Sequence, residues 1–538
     1  MSDIDNKMIV EKKVKFSESM LWDLQRKYFA EEGVNAWAGS VPFYITSNLF
    51  IANSYAEVFI RYVQDCKNRG KVLKDKPFYI FELGTGSGRF SYYCARQIFT
   101  LQKELGLEDI EIIYVMTDFT DSNVKFWRTQ RELQPLVEAG KVDFAIFDLE
   151  NSETLEMINS GVVLDGSDDN NPISVFGNYI FDTVTQDVFR VEKGEVLESR
   201  ISLVADKTNV ENKRPKKLED LDMLHTYYNI TSGYYEDEIL NEMLRGYKKD
   251  LNEGTFLMPL GGFRCLKNLF KISNNKCLLI STDKSYARLD EIEGRGDPAL
   301  VCHGSFSMTV NFHALGEYFR LSGGSVRHQK IRESIKTSCF VLGDDFDDLP
   351  ETSSAIKYHV DTCGPGDFFI YHRFLVDNKE QAHLTALVAH LNVSLWDPHF
   401  FKLMIDRIIE VSKTAEKIEL QGLLDGTKEV IDNIYLMPGA HDTYFDVGLL
   451  HHAVDQPLKA IEYYEQSREY FGENFSLLYN MALCQYAAGN NDKARELFEQ
   501  AKTMNPDSTD VDEWMKRLDG GSDDSSGEQG SDTLNELE

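Results

Sequence analysis

The chain has 538 residues, and its 57 Lys and Arg stand against 88 Asp and Glu, a formal net charge of −31. At 42% hydrophobic and 12% aromatic content it has the material for a large core, which excludes global disorder. The acidic balance argues against general nucleic-acid binding and against affinity for anionic membranes, because counterion release needs Lys and Arg on the surface.

At about 100–200 residues per domain, two to four units are expected. No stretch approaches the roughly 18 consecutive apolar residues of a spanning helix, so no membrane insertion is expected. The first residues, MSDIDNKMIVEKKVKF, lack an apolar segment and are too acidic for a transit peptide, which predicts a cytoplasmic protein. The eight cysteines form no CxxC pair and no zinc spacing with His303 or His313. They read as reduced thiols, with no metal site.

Residues 1–75 read as an N-terminal helical region packing on the core domain that begins at 76. Met20, Leu21, Leu24, Tyr28 and Phe29 recur at helical spacing. A Pro-containing extended stretch, Val41–Ser47, then precedes a helix bearing Ile51, Tyr55, Val58 and Phe59 on one face, with Ser47 as its expected cap. Residues 76–330 form the expected core: apolar runs at 78–83, 110–117, 142–147, 173–177 and 276–282 alternate with amphipathic stretches such as 89–104 and 122–139. Such alternation predicts a parallel sheet covered on both faces. Within it, 195–255 is more polar and reads as an insertion or lid. Residues 331–397 alternate apolar and polar and read as a β-rich extension, including 338–342 and 368–374; 398–442 reads as a helical connector.

Residues 443–510 repeat with a period of 34: Val447-Gly448 aligns with Met481-Ala482, Ala460 with Ala494, Tyr464 with Phe498 and Ser467 with Ala501. Small residues where helices touch, and aromatics between turns, are the tetratricopeptide pattern. Two copies fall below the roughly three needed for independent stability, so the pair should lean on the helices before it. Residues 511–538 read as a terminal helix and a disordered acidic tail.

The most informative stretch is Phe78-Tyr79-Ile80-Phe81-Glu82-Leu83-Gly84-Thr85-Gly86-Ser87-Gly88-Arg89-Phe90, a buried strand running through three alternating glycines into a helix. Glycines there permit a tight turn and close approach of a ligand to the backbone. A dinucleotide fold wants a third glycine where this chain has Arg89. A ligand without phosphate, such as S-adenosylmethionine, needs only its carboxylate and adenosyl portion held at the loop. Glu82, Gly84, Gly86 and Gly88 are then cofactor-binding candidates. Later strands end in Asp118, Asp148 and Asn178. Asp118 is placed to take both ribose hydroxyls and Asp148 to take adenine N6.

With these residues assembled, the chain resembles the MidA-like class I methyltransferases, the family of the mitochondrial complex I assembly factor that methylates a protein arginine. The resemblance covers roughly 20–320 and adds Tyr44-Ile45-Thr46-Ser47, Asn178-Tyr179-Ile180-Phe181-Asp182, Asp283 and Val310–Leu315. It implies an α/β fold with a Rossmann-like parallel sheet, followed here by an all-α tetratricopeptide region. It implies S-adenosylmethionine as cofactor, and Asp182 and Asn178 as acceptor-side catalytic candidates, with Thr46 and Ser47 at the mouth. The family carries Glu where this chain has Tyr179, and the DYG-like element is changed to Asp283-Lys284-Ser285, so arginine is not fixed as the acceptor. The expected function is methyl transfer to a protein side chain, with the repeats binding partner or substrate. The alternatives are a catalytically inactive adaptor acting through the repeats, and a nicotinamide oxidoreductase that Arg89 disfavours.

Overall fold

The computed structural model describes residues 6–38, 44–211, 214–330 and 335–520. The chain divides into two compact units, Met1–Phe374 with Tyr435–Gly439, and Leu375–Ile434 with Ala440–Glu538. The expected acidic tail beyond 520 lies outside the described residues.

The first unit is built on one mixed sheet. Its main strands are β1 (Phe78–Glu82), β2 (Ile112–Asp118), β3 (Val142–Ile146), β4 (Ile173–Asn178), β5 (Cys277–Tyr286), β6 (Ser325–His328) and β7 (Ile335–Leu342), with the two-residue strand Val310–Asn311 paired to the end of β5. Their spatial order is β3-β2-β1-β4-β5-β7-β6. The first five are parallel; β7 runs antiparallel between β5 and β6. All five residues of β1 are buried, as expected of a strand covered on both faces. The strand order reverses between β1 and β4, and open sheets of this kind bind ligands at the carboxyl ends beside that reversal.

Helices α1 (Met20–Glu32), α2 (Leu49–Asn68), α3 (Arg89–Glu104) and α4 (Asp121–Trp127) belong to this unit. The cap of α2 is Asn48, not Ser47: the Asn48 carboxamide oxygen accepts from Ile51 N at 3.0 Å, and its Nδ2 donates to the Tyr44 carbonyl at 2.9 Å. Tyr44–Ser47 is a helical turn rather than extended chain, and 39–43 lie outside the described residues. The stretch 122–139 is not one helix but two short ones, Asp121–Trp127 and Gln134–Glu138, because turns at Thr129–Leu133 interrupt it.

Three further expectations are corrected. The N-terminal region is not wholly helical: Lys7–Lys15 is a strand, paired antiparallel with Glu195–Asp206. The polar segment 195–255 contributes to a second, antiparallel sheet of Lys7–Lys15, Glu195–Asp206, Asp187–Glu192, Gly254–Met258 and Asp222–Asn229, and it also holds helix Glu238–Asp250. The strands of this sheet bury side chains on both faces, Phe189, Val196 and Phe256 in one core and Val188, Ile201 and Leu257 in another, which disguised the period of two. The second of these cores includes Phe16, Leu21 and Trp22. Last, 331–397 is not β-rich. Only Ile335–Leu342 is a strand of the described residues after 331, and Phe368–Phe374 lies in helix Pro365–Asp377. Phe368 and His372, four apart, are buried along with Pro365 at its start, whereas Ile370, Tyr371 and Phe374 are exposed. Burial every fourth residue is a helical signature that the aromatic content masked.

The second unit is all α. Helices Leu384–Val393, Pro398–Ser412 and Lys417–Asp432 share a core with Val447, Leu450 and Tyr463. Helices Thr443–Ala453, Pro457–Phe471, Phe475–Ala487 and Asn491–Met504 are the two helix pairs read from the period. A Cβ at Gly448 would run into the Tyr464 ring, so the small residue sits where two helices meet. Ala460, Tyr464, Met481, Ala482, Ala494, Phe498 and Ala501 are all buried in one cluster, joined by Val511 of the last helix.

Candidate functional site

A cavity of about 580 Å³ opens within the first unit at the carboxyl ends of β1 to β5. Gly84 and Gly86 line it after β1, Asp118 after β2, Asp148 after β3, Tyr179, Ile180 and Asp182 after β4, and Lys284 near the end of β5. Helix α1 supplies Trp22, Asp23, Gln25, Arg26 and Phe29 to the wall.

The glycine loop is held by its neighbours. Gly84, Gly86 and Gly88 have φ of +61°, +59° and +82°, a region that side chains other than glycine rarely adopt. A Cβ at Gly84 would also meet the Ile180 side chain. Thr85 N donates to the Thr117 carbonyl at 2.8 Å, Trp127 Nε1 donates to the Gly86 carbonyl at 2.9 Å, and Gly86 N donates to Asp118 at 3.2 Å.

Asp118 is 5% exposed. One of its oxygens takes Gly86 N and the Asn123 amide at 2.8 Å; the other takes Thr120 N at 3.1 Å and the Thr120 hydroxyl at 3.0 Å. Burial lifts its carboxyl above the usual range, against the pull of those donors. Asp148 moves the other way. Burial would raise it, but Asn151 at 2.9 Å and an ion pair with Arg26 hold it below its ordinary value. The Arg26 guanidinium also lies 4.6 Å over the Phe119 ring.

Asp182 is 3% exposed, and its Oδ1 is buried with no hydrogen-bond partner among the described residues. Burial pushes its carboxyl up to about 7. Asp283 on β5 is also buried, with Oδ2 unpartnered; burial first, and then the charge of Asp182, raise it well above the carboxylate range. Two buried carboxyls that feel each other do not both ionise readily.

Three sequence candidates are not among the lining residues. The Glu82 carboxylate turns to Ser91 and to the Tyr114 hydroxyl, at 2.8 Å for the latter, and burial pushes it up to about 7. Asn178 is held between the Tyr55 hydroxyl and the Thr46 carbonyl, the latter at 3.3 Å. Gly88 backs onto Tyr435, Met116 and Trp127. Thr46 and Ser47 do not line the cavity either. Sequence reasoning missed Arg26, Asn123, Trp127 and Tyr435. Arg26 sits on a helix singled out only for its apolar stripe, and the other three become neighbours of the loop through tertiary packing alone.

Among the described residues no helix is long and apolar enough to cross a membrane. The tetratricopeptide repeat family model matches residues 452–518. No curated protein matches the chain. Among solved structures, an uncharacterised protein from Burkholderia thailandensis is 12% identical, with TM-score 0.37, covering 62% of this chain and 90% of that one. A candidate methyl transferase of the same superfamily and organism, bound to S-adenosyl-homocysteine, is 13% identical with TM-score 0.34, covering 60% and 93%. A DhpI–S-adenosyl-homocysteine complex is 9% identical with TM-score 0.24, covering 60% and 97%. The chain joins an α/β unit built on a mostly parallel, Rossmann-like sheet to an all-helical region carrying tetratricopeptide repeats.

Proposed function

We propose that the protein is an S-adenosylmethionine-dependent methyltransferase acting on a protein side chain, with its repeats binding the substrate or a partner in the cytoplasm. The observation that carries this reading is the cavity at the strand-order reversal, lined together by Gly84, Gly86, Asp118, Asp148 and Asp182. Its size falls within the roughly 300–1,000 Å³ of small-molecule sites. Its charge suits a cationic ligand better than a pyrophosphate: Asp23, Asp118, Asp148, Glu150 and Asp182 line it against Arg26 and Lys284, with Arg264 outside the lining pairing Glu150.

In this reading Gly84 and Gly86 form the cradle, and a side chain at Gly84 would collide with Ile180. Asp118 takes the ribose hydroxyls by exchanging its side-chain donors Asn123 and Thr120, and Asp148 faces the adenine. Glu82 acts from behind, fixing α3 to β2 through Ser91 and Tyr114. The bound cofactor supplies an electrophilic methyl group on a sulfonium. Asp182 Oδ1, unpartnered and buried, orients the acceptor and takes its proton; a base near 7 is matched to that task. Asn178 supports it by fixing the end of β4 to α2.

Calorimetry with S-adenosylhomocysteine tests the binding part: one site is expected, weakened at least tenfold by Asp118→Ala. Tritiated methyl transfer into a lysate lacking the protein tests the chemistry. The second reading, an inactive adaptor, is favoured by Tyr179 lining the cavity where the resembling family has an acid. Cofactor binding with no labelled product in any fraction would support it.

A further inference from the structure

We propose that Tyr435 is a positioning residue for the glycine loop, fixing from behind the peptide groups on which cofactor binding depends. Tyr435 lies outside the sequence range of the family resemblance, and the segment Tyr435–Gly439 packs with the first unit although the residues on either side of it in sequence belong to the helical one. The Tyr435 side chain is 5% exposed. Its hydroxyl donates to the Ser87 carbonyl at 2.9 Å, and its ring lies 5.5 Å from that of Tyr92 on α3. A Cβ on Gly88 would come within 2.7 Å of that hydroxyl and 2.9 Å of Met116 Cε. Met437 of the same segment is buried as well.

The geometry explains why this contact matters. Gly88 stands at the N-cap of α3 with no side chain to cap it. The three glycines have no Cβ to restrict them, so the loop's conformation must be imposed from outside. Two aromatic donors do so on consecutive carbonyls: Trp127 holds Gly86 and Tyr435 holds Ser87. Because a peptide group is planar, fixing a carbonyl also fixes the N–H of the next residue. Tyr435 thereby sets the Gly88 N–H, which closes the turn on the Thr85 carbonyl at 3.2 Å. Neither Trp127 nor Tyr435 lines the cavity, so both leave the ligand's space free. Burial holds the Tyr435 phenol protonated, as a donor must be.

This inference rests on the cofactor reading for its consequence, but its structural part is tested without ligand. In the full-length protein, Tyr435→Phe removes only the donor and Tyr435→Ala removes the ring too. Hydrogen exchange of the ligand-free protein, read on a peptide spanning 84–90, is expected to speed up in Tyr435→Phe while the thermal midpoint stays near that of the wild type. S-adenosylhomocysteine affinity measured by calorimetry should fall about three- to tenfold, the scale of one lost hydrogen bond, and further in Tyr435→Ala. Unchanged exchange across the loop in Tyr435→Phe overturns the proposal. If the wild type itself binds no S-adenosylhomocysteine while the exchange effect is present, the cofactor reading fails and the tie stands.

Discussion

Glu82, at the end of β1, is buried behind the glycine loop and does not line the cavity. Its carboxyl is pushed from the usual 4.5 up to about 7 by burial, so the folded protein holds a proton that the unfolded chain has released between those values. Stability therefore falls as pH rises from 4.5 towards 7. Glu82→Gln keeps acceptors for Ser91 and Tyr114 and removes the titration; urea unfolding should show a shallower decline over that window than in the wild type. Asp182 gives a different profile. In its proposed role as the acceptor's base it would work deprotonated, so methyl transfer should rise with pH and level off above about 7. Asp182→Asn should lower the rate about a hundredfold or more and leave S-adenosylhomocysteine affinity unchanged, as single-turnover assays and calorimetry can show.

At the scale of elements, the β1–glycine–α3 unit is the most constrained piece. Gly88→Ala places a side chain at φ +82° against Tyr435 and Met116. It should destabilise the fold by on the order of 1–3 kcal/mol, read from thermal unfolding, and weaken cofactor binding. The parallel strands were legible because each carries a short, largely apolar run, with a polar residue at or soon after the end of β1, β2, β3 and β4. The repeats were legible because a period of 34 repeats the small and aromatic contact positions. The antiparallel sheet through Glu195–Asp206 was not, since its strands bury residues on both faces and show no clean alternation, and its partner Lys7–Lys15 is nearly two hundred positions away. Helix Pro365–Asp377 was misread because aromatic residues favour strands and only two of its large side chains are buried. Among the cavity's lining residues, Gly84, Gly86, Asp118 and Asp148 were named from strand ends and Asp182 from the family resemblance. Arg26, Asn123 and Trp127 were not, because no local pattern marks a residue that meets the loop only through folding.

For the whole molecule, the claim is one of divided labour between chemistry in an α/β unit and recognition in a helical one. Gly448→Val should spoil the repeat contact with Tyr464 by about 1–3 kcal/mol, seen as earlier proteolysis between 443 and 518, and should reduce labelling of a protein acceptor more than cofactor affinity. The central claim, however, concerns where the adenosyl ligand sits. The most direct measurement is a crystal structure of the full chain grown with saturating S-adenosylhomocysteine. Ribose hydroxyls on Asp118, with the ligand lying against Gly84 and Gly86, are the expected result. A saturated crystal in which side chains fill that crevice, with the ligand elsewhere or absent, would contradict it.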